Sequence, residues 1–550
     1  MILLKIRKCF FFVCVILVRF SASAQEAPEM FTNPIVSGFH SDPSICRVGD
    51  TYYMTHPTLE WYPALPIMRS KDLVNWEKIG HAIHRVDQIN FQDGLDNSLG
   101  MFAPSIRYKD GLFYVVCTCV NCGGNFYVTA SDPDGPWSDP IWIKSPWSFD
   151  PTLFWDDDGQ SYFLAAGVVN GAKGKWPGIV GIYMQKIDLK TGKLKGEPKQ
   201  LTHGHASNAR WAEGPRLFKI DGEYMLMVAE GGTNEYHSIT VFNSKNLWGP
   251  YIPNHANPVL THRHLGYTHP IIKTGHGDLV QTQDGAWWGV QHAKRPIDGY
   301  SVLCRETFLA KVEMTQQESG VTPIYNPGVG LLQLEQPRPN LPWTPIPSLP
   351  EKDEFERQDL GLEWITPRSP VEDWHKLKDG RLELELRPQV IDSLVNPSFW
   401  AQRIRHHSFE VSTQVSFKTT KQNEKAGLVL YRKSSTHYQL LKQKDKVVLI
   451  KTVATAQEGI ESSRQIIDSV PYNQKEVHLK VVGKGLDLQF YYGETAEEFK
   501  PIGEVQDFSI FSDEIAGRFN GTVAGLYATS TGRSSKNIAH FDWFVNKKLK

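Results

Sequence analysis

One pattern recurs five times in this 550-residue chain: a short strand, a turn centred on Asp and Gly, and a second strand rich in aromatic residues. It reads DPSICRVGDTYYMT from Asp42, APSIRYKDGLFYVVC from Ala103, DPTLFWDDDGQSYFLAA from Asp150, EGPRLFKIDGEYMLMVA from Glu213 and GDLVQTQDGAWWGVQ from Gly277. Asp and Gly between two alternating segments mark a β-hairpin, because they tolerate the positive φ of its tight turn. Hairpins returning every roughly 45 to 65 residues build propeller blades, since one hairpin cannot bury its apolar face alone. No stretch between Phe31 and Gln333 has the period of a long amphipathic helix. The expectation is an all-β chain in which residues 31–340 form a five-bladed β-propeller.

The length calls for more than one core. After Gln336-Pro337-Arg338-Pro339 come Pro342, Pro345, Pro347 and Pro350. Proline removes ladder donors and stiffens the chain, so residues 341–351 read as a linker. Beyond it, RLELELRP, FEVSTQVSF, AGLVLYRK, EVHLKVVG and AGLYATS alternate at steady intervals with polar turns between them. They predict a β-sandwich over residues 352–550.

Three of the repeats are led by an acid. Asp42 and Asp150 each precede a proline, and Glu213 stands between Trp211 and the step Gly214-Pro215. A carboxylate held against an indole and a proline loses water, and desolvation raises an acid's pKa, as a proton donor near neutral pH requires. Three acids entering equivalent hairpins can converge on one pocket, which suits a carbohydrate hydrolase. The plainer alternative is that an Asp before Pro caps a turn. Asp156, Asp157 and Asp158 look like a calcium loop but, with Gly159, occupy the place of the other hairpin turns.

Lys and Arg number 59 against 60 acids, which gives no electrostatic case for nucleic acid or an anionic membrane as a partner. Aromatics make up 11% of the chain; flat rings fill β-sheet cores and also stack on sugar faces. Lys5, Arg7 and Lys8 precede an apolar run over residues 10–18, and Ala22-Ser23-Ala24 supplies small residues before Gln25. That is the layout of a signal peptide over residues 1–24, too short in its apolar part to span a bilayer. An exported protein, periplasmic or extracellular and without a membrane span, is expected. Cys117, Cys119 and Cys122 cluster, but a zinc site lacks a fourth ligand at suitable spacing. A disulfide between two of the three is the better reading in an exported chain.

The run NPIVSGFHSDPSICRVGDTYYMTHPTLEWYPALPIMRSKDLVNWEKIGHAI, then FAPSIRY, SFDPTLFWDDDG, WAEGPRLFKIDGEYMLMVAEGG, GHGDLVQT and RETFLAKVE, resembles glycoside hydrolase family 43. The tail, with DEFERQDLGLEWITPR, AGLVLYRK, AGLYATSTG and FDWF, is similar to the concanavalin A-like sandwich of that family's β-xylosidase branch. The resemblance implies an inverting glycosidase, in which an aspartate activates water and a glutamate protonates the leaving oxygen. Asp42 matches the base, Glu213 the acid, and Asp150 the aspartate that tunes and orients the acid. Inversion needs the two working carboxyls about 6.5–9.5 Å apart, so that water fits opposite the leaving group.

Other positions follow from the same resemblance. Arg305, in CRETF, corresponds to an arginine reaching the substrate hydroxyls; an ion pair with Glu306 or another acid is the alternative. His276, in GHGDLV, corresponds to a histidine near the propeller axis that neighbours a bound calcium, usually through water; a neutral core histidine is the alternative. Trp61 and Phe102 are expected as apolar walls, with Phe102-Ala103-Pro104 standing where the family commonly has Trp-Ala-Pro. The implied activity is exo-acting release of a terminal pentose from plant oligosaccharides or polysaccharides, β-D-xylose first and α-L-arabinofuranose second. No cofactor is required for it, and a calcium near the axis would be structural. The sandwich is expected to wall the pocket. Two other classes share the frame: a non-catalytic sugar-binding propeller, which has no reason to keep three carboxylates desolvated, and a phosphorylase, for which His262, Arg263 and His264 would be the basic group.

Overall fold

The computed structural model describes residues 27–168, 175–454, 462–517 and 519–549; the signal-peptide expectation lies outside them. Five antiparallel sheets follow one another along the first part of the chain, the second with five strands and the others with four. Their inner strands are β1 (Ser44–Val48), β2 (Ser105–Lys109), β3 (Ser148–Trp155), β4 (Glu213–Ile220) and β5 (Ile272–Gln281). Each inner strand lies against the next and β5 returns to β1, so the sheets close into a ring, the arrangement of a β-propeller. The hairpin turns fall where the repeats put them. Asp110-Gly111 and Asp221-Gly222 have positive φ at both positions, the geometry that matches the twist of the flanking strands.

The propeller core is divided among the gaps between sheets. Ile67 packs with Val115 and Phe126 between the first two, Tyr127 with Leu153 and Phe163 in the next gap, and Leu164 with Leu226 and Phe242 in the third. Met227 and Val241 meet Phe308 in the fourth, and Tyr52 and Met54 meet Val290 and Leu309 where the ring closes. Closure is reinforced by the N-terminal segment. Met30–Thr32 pairs with Glu335–Pro337, and the Asn33 side chain donates to Leu309 and Gln333 carbonyls while accepting the Leu309 N–H. The Pro-rich segment after it lies along the propeller, with Leu341 buried in the closing cluster and the Thr344 N–H donated to Asp72.

The remainder forms two antiparallel sheets of eight and six strands around one apolar core that includes Trp364, Trp374, Leu428, Phe490 and Phe541. This sandwich is fastened to the propeller by strand pairing and by buried polar contacts. Trp61–Tyr62 pairs with Thr366–Pro367, and the buried Glu60 carboxylate accepts the Asn520 side-chain amide at 2.7 Å and the Ser98 N–H at 2.9 Å. Cys119 and Cys122 form a disulfide, and Cys117 is buried with its thiol 3.2 Å from the Phe102 carbonyl. The Asp156 carboxylate is tied to Lys219 and Tyr224 of the neighbouring sheet, so this acidic turn is an inter-sheet contact.

Candidate active site

Side chains reach the axis where the chain departs from regular strand geometry. Asp42, Asp150 and His276 have φ of +45°, +52° and +37°, a left-handed conformation uncommon outside glycine. Register breaks between Phe149 and Thr152 on β3, between Glu213 and Arg216 on β4, and around Gly275 and Gly277 on β5. Pro43, Pro151 and Pro215 sit beside the three acids, and proline is tolerated in a strand at its start or at a bulge. A bulge turns one side chain out of the pleat, here toward the axis. Each such backbone state costs about 1–3 kcal/mol, and it persists because the surrounding sheets over-determine it.

Asp42, Asp150, Glu213, His276 and Arg305 line one cavity of about 60 Å³, closed on its apolar side by Phe102, Phe149, Leu59 and Phe519. Arg305 Nη1 lies 3.0 and 2.7 Å from the two oxygens of Asp42. The Ser41 hydroxyl donates to Asp42 at 2.7 Å, and the Nδ1 atoms of His292 and His276 lie 2.9 and 3.3 Å from Oδ1. Burial alone would push the Asp42 carboxyl up, but Arg305, then His292 and His276, outweigh it and hold the group well below the usual carboxylate range. Asp42 is therefore ionised and fixed in orientation.

The other two acids go the opposite way. Burial raises Glu213 well above its ordinary value, and the neighbouring charges of Asp150 and then Asp42 add to the rise. Asp150 is pushed up to about 8, chiefly by burial and then by Asp42, against the opposing pull of Arg216, Arg305 and a backbone hydrogen bond from Gly214. That backbone bond ties Asp150 to the residue following Glu213. Gly214 itself has φ +59°, and a Cβ there would stand 2.5 Å from His276 Nε2. Two acids that keep their protons thus share a cavity with one that has lost its own, the separation of roles that acid–base chemistry requires.

Not every residue expected here arrives. Trp61 is 2% exposed and packs edge-on against Tyr431 in a core shared with the sandwich, so it does not wall the cavity. The physical reason is that the Trp61–Tyr62 pairing with Thr366–Pro367 turns this segment into the domain interface. Phe102 does line the cavity, with its ring meeting Phe519 of the sandwich at 6.2 Å. Arg305 pairs with Asp42, while Glu306 is taken by Arg295 at 2.7 and 2.8 Å. Burial presses the His276 imidazole down to about 3, so it is neutral, and its Nε2 has no protein hydrogen-bond partner among the described residues. Asp42 is held by Arg305, Asp278 is held by Arg107 and Arg216, and among the described residues no three His, Cys, Asp or Glu side chains gather as metal ligands.

Three further contributors lie outside the residues that the sequence motifs single out. Phe519 comes from the sandwich and lies 5.3 Å beneath the Arg305 guanidinium. Its loop reaches the propeller because Gly521 leaves room: a Cβ there would lie 2.3 Å from Phe39. His292 lies one strand away from β5 and shows no motif, only a place in the almost wholly buried strand Trp287–Lys294. Asp278, two residues beyond His276, accepts from Ser44 and Arg107 at 2.7 Å and from Arg216 Nε at 3.2 Å, so one carboxylate joins β1, β2, β4 and β5. Its signal was present in GHGDLV, where the eye stops at the histidine.

A β-propeller whose axis gathers one ionised and two protonated carboxyls in one small cavity defines an acid–base hydrolytic enzyme. The chain belongs to glycosyl hydrolases family 43, which it matches over residues 31–319. Residues 352–547 match the β-xylosidase C-terminal concanavalin A-like domain. It is 37% identical over 524 residues to a xylosidase/arabinosidase of Butyrivibrio fibrisolvens, covering 94% of this chain and 99% of the relative. It is 35% identical to the non-reducing end α-L-arabinofuranosidase BoGH43B of Bacteroides ovatus, over 95% of this chain and 96% of that one. Among solved structures, the xylan β-1,4-xylosidase of Bacillus halodurans superposes with a TM-score of 0.86 at 33% identity, over 94% of this chain and all of that one.

Proposed function

We propose that the protein is an exo-acting β-D-xylosidase that hydrolyses the terminal pentose of plant-derived oligosaccharides with inversion of configuration. The observation that carries this reading is the opposite displacement of Asp42 and Glu213 within one small cavity. In the proposed reaction, Asp42 takes a proton from the attacking water, its lone pairs aimed by Arg305, Ser41 and His292. Glu213 gives its proton to the glycosidic oxygen as the bond breaks. Asp150, itself pushed up to about 8, adds charge beside Glu213 only as it ionises and so delays loss of the Glu213 proton at higher pH, and through the Gly214 N–H it fixes where the acid sits. Arg305 presents its remaining N–H groups to sugar hydroxyls, and Phe102 and Phe519 cover the apolar face of the ring. The chemistry as proposed draws on no cofactor, and the N-terminal signal supports action outside the cytoplasm.

Relatives named as xylosidases favour xylose, and the 35% identical arabinofuranosidase keeps α-L-arabinofuranose as the second reading. A panel of aryl pentosides separates them: the fastest turnover is expected on the β-D-xyloside, and turnover confined to the α-L-arabinofuranoside would replace the first reading with the second. Glu213→Ala tests the acid. Natural xylosides are expected to lose on the order of 10²–10⁴ in rate, and aryl xylosides with good leaving groups much less; equal losses would count against the assignment.

A further inference from the structure

The six-stranded sheet of the sandwich is the one that meets the propeller, with Phe399, Val429 and Tyr431 packed around Trp61. The outer face of the eight-stranded sheet therefore points away from the acidic cavity. An open groove of about 420 Å³ crosses that face, lined by Lys352, Lys480, Lys547, Glu410, Phe499 and Trp543. Strand register builds it. Lys352 pairs with Val545, Val545 with Ser412, Ser412 with Lys480 and Lys480 with Tyr491, so these residues form one row across five neighbouring strands. Leu479 and Val481, on either side of Lys480, lie in the core, which puts the row on the outside. At the ordinary strand spacing Lys352 and Lys480 stand about 14 Å apart, with Ser412 between them.

Charge in the groove is unequal, because three ammonium groups meet one carboxylate in its lining. Lys547 is paired with Glu410 at 3.2 Å, and Lys352 with the exposed Glu354 at 2.7 Å. Exposed pairs of this kind contribute little and are readily exchanged for another carboxylate. Lys480 enters no ion pair among the described residues, and its ammonium rests 3.7 Å from the centre of the Phe499 ring and 5.1 Å from that of Tyr491. Phe499 and Trp543 are half-buried, so each adds apolar ring surface beside a cation, Lys352 lying 5.2 Å over Trp543. Flat apolar surface next to an ammonium group matches a sugar that carries a carboxylate, ring against ring and anion against cation. A neutral sugar would leave Lys480 without a counter-charge, and an inorganic anion would make no use of the rings.

We propose that this groove binds a carboxylate-bearing saccharide, a uronic acid unit of a polysaccharide, and so holds the protein on a charged polymer at a place remote from the acidic cavity. The choice of a saccharide rests on the proposed glycosidase activity; the preference for an anion rests on the groove itself. Isothermal titration calorimetry of the full-length protein tests it with three probes: trigalacturonic acid, the neutral methyl ester of the same trisaccharide, and hexaglutamate. The acid should bind about tenfold or more tightly than its ester, and several-fold less tightly when salt is raised from about 20 to about 200 mM. Lys480→Gln should weaken the acid about tenfold and Lys480→Arg should keep most of its affinity, while both leave aryl glycoside turnover within about twofold. Equal affinity for acid and ester, or unchanged affinity in Lys480→Gln, would overturn the site. Hexaglutamate bound as tightly as the trisaccharide would overturn it too, by showing a basic patch with no recognition of sugar. Normal aryl turnover without trisaccharide binding would remove the groove alone, whereas trisaccharide binding without turnover of any pentoside would remove the glycosidase reading and leave the groove standing.

Discussion

At the scale of single residues, one cavity keeps Asp42 ionised while Asp150 and Glu213 hold their protons. Asp42 is surrounded by a guanidinium, a hydroxyl and two imidazoles, whereas Glu213 has burial and like charge around it. The pH dependence follows with a definite sign. A base works when deprotonated, so the acid limb of kcat/KM falls below the usual carboxylate range; an acid works when protonated, so the alkaline limb lies above it. Asp150→Asn removes the charge that Asp150 acquires as it ionises near 8 and that raises Glu213, and the alkaline limb is therefore expected to move to lower pH. A pH profile of kcat/KM reads this directly, and an unmoved alkaline limb would show that Asp150 acts by position alone. Much of this was visible in the sequence, because an acid against Trp or Pro announces its own desolvation. The partners that set Asp42 apart were not: His292 reaches it only through the closure of the ring, which no local motif encodes, and Ser41, though adjacent in the chain, shows nothing in sequence of the bond it makes.

At the scale of elements, the site is made by faults in otherwise regular strands. Alternation fixes which residues face the core, and a perfect β4 would carry the side chains beyond Glu213 on the opposite faces. The Gly214-Pro215 bulge changes that, and Gly214 is the position where the backbone needs both positive φ and the space taken by His276. Gly214→Ala is expected to strain the bulge by about 1–2 kcal/mol, and to cost on the order of 10²-fold in kcat by displacing Glu213 or His276. Circular dichroism and thermal unfolding alongside kinetics check it, since a folded variant with normal kcat would refute the role given to the bulge. The hairpins themselves were plain in the sequence through their Asp-Gly turns and alternating strands. The bulges were only hinted at by proline, and the register breaks around Gly275 and Gly277 on β5 had no proline to mark them.

At the scale of the whole molecule, two domains make one pocket. The sandwich brings Phe519 over Arg305, and the short helix Asp513–Ala516 anchors the loop that carries it. Burial opposes ionisation of Asp513, but Lys294 of the propeller and Arg432 of the sandwich more than reverse it and hold the carboxyl below its ordinary range. Its contribution is present above that range and fades as pH falls through the folded-state value. Asp513→Asn leaves buried cations without their charge partner and is expected to cost about 3–5 kcal/mol. Thermal unfolding measures the loss, and KM should rise with it as Phe519 shifts. A second domain was foreseeable from the Pro-rich break and the renewed strand pattern. That Trp61 serves the interface was not, since its pairing partner lies some three hundred residues away in Thr366–Pro367. In the proposed reaction Asp42 drives water onto the sugar from the side opposite Glu213. Following hydrolysis of an aryl β-D-xyloside by proton NMR in the first minutes tests it most directly: α-xylose should appear first and mutarotate to the equilibrium mixture, whereas β-xylose as the initial product would contradict the account.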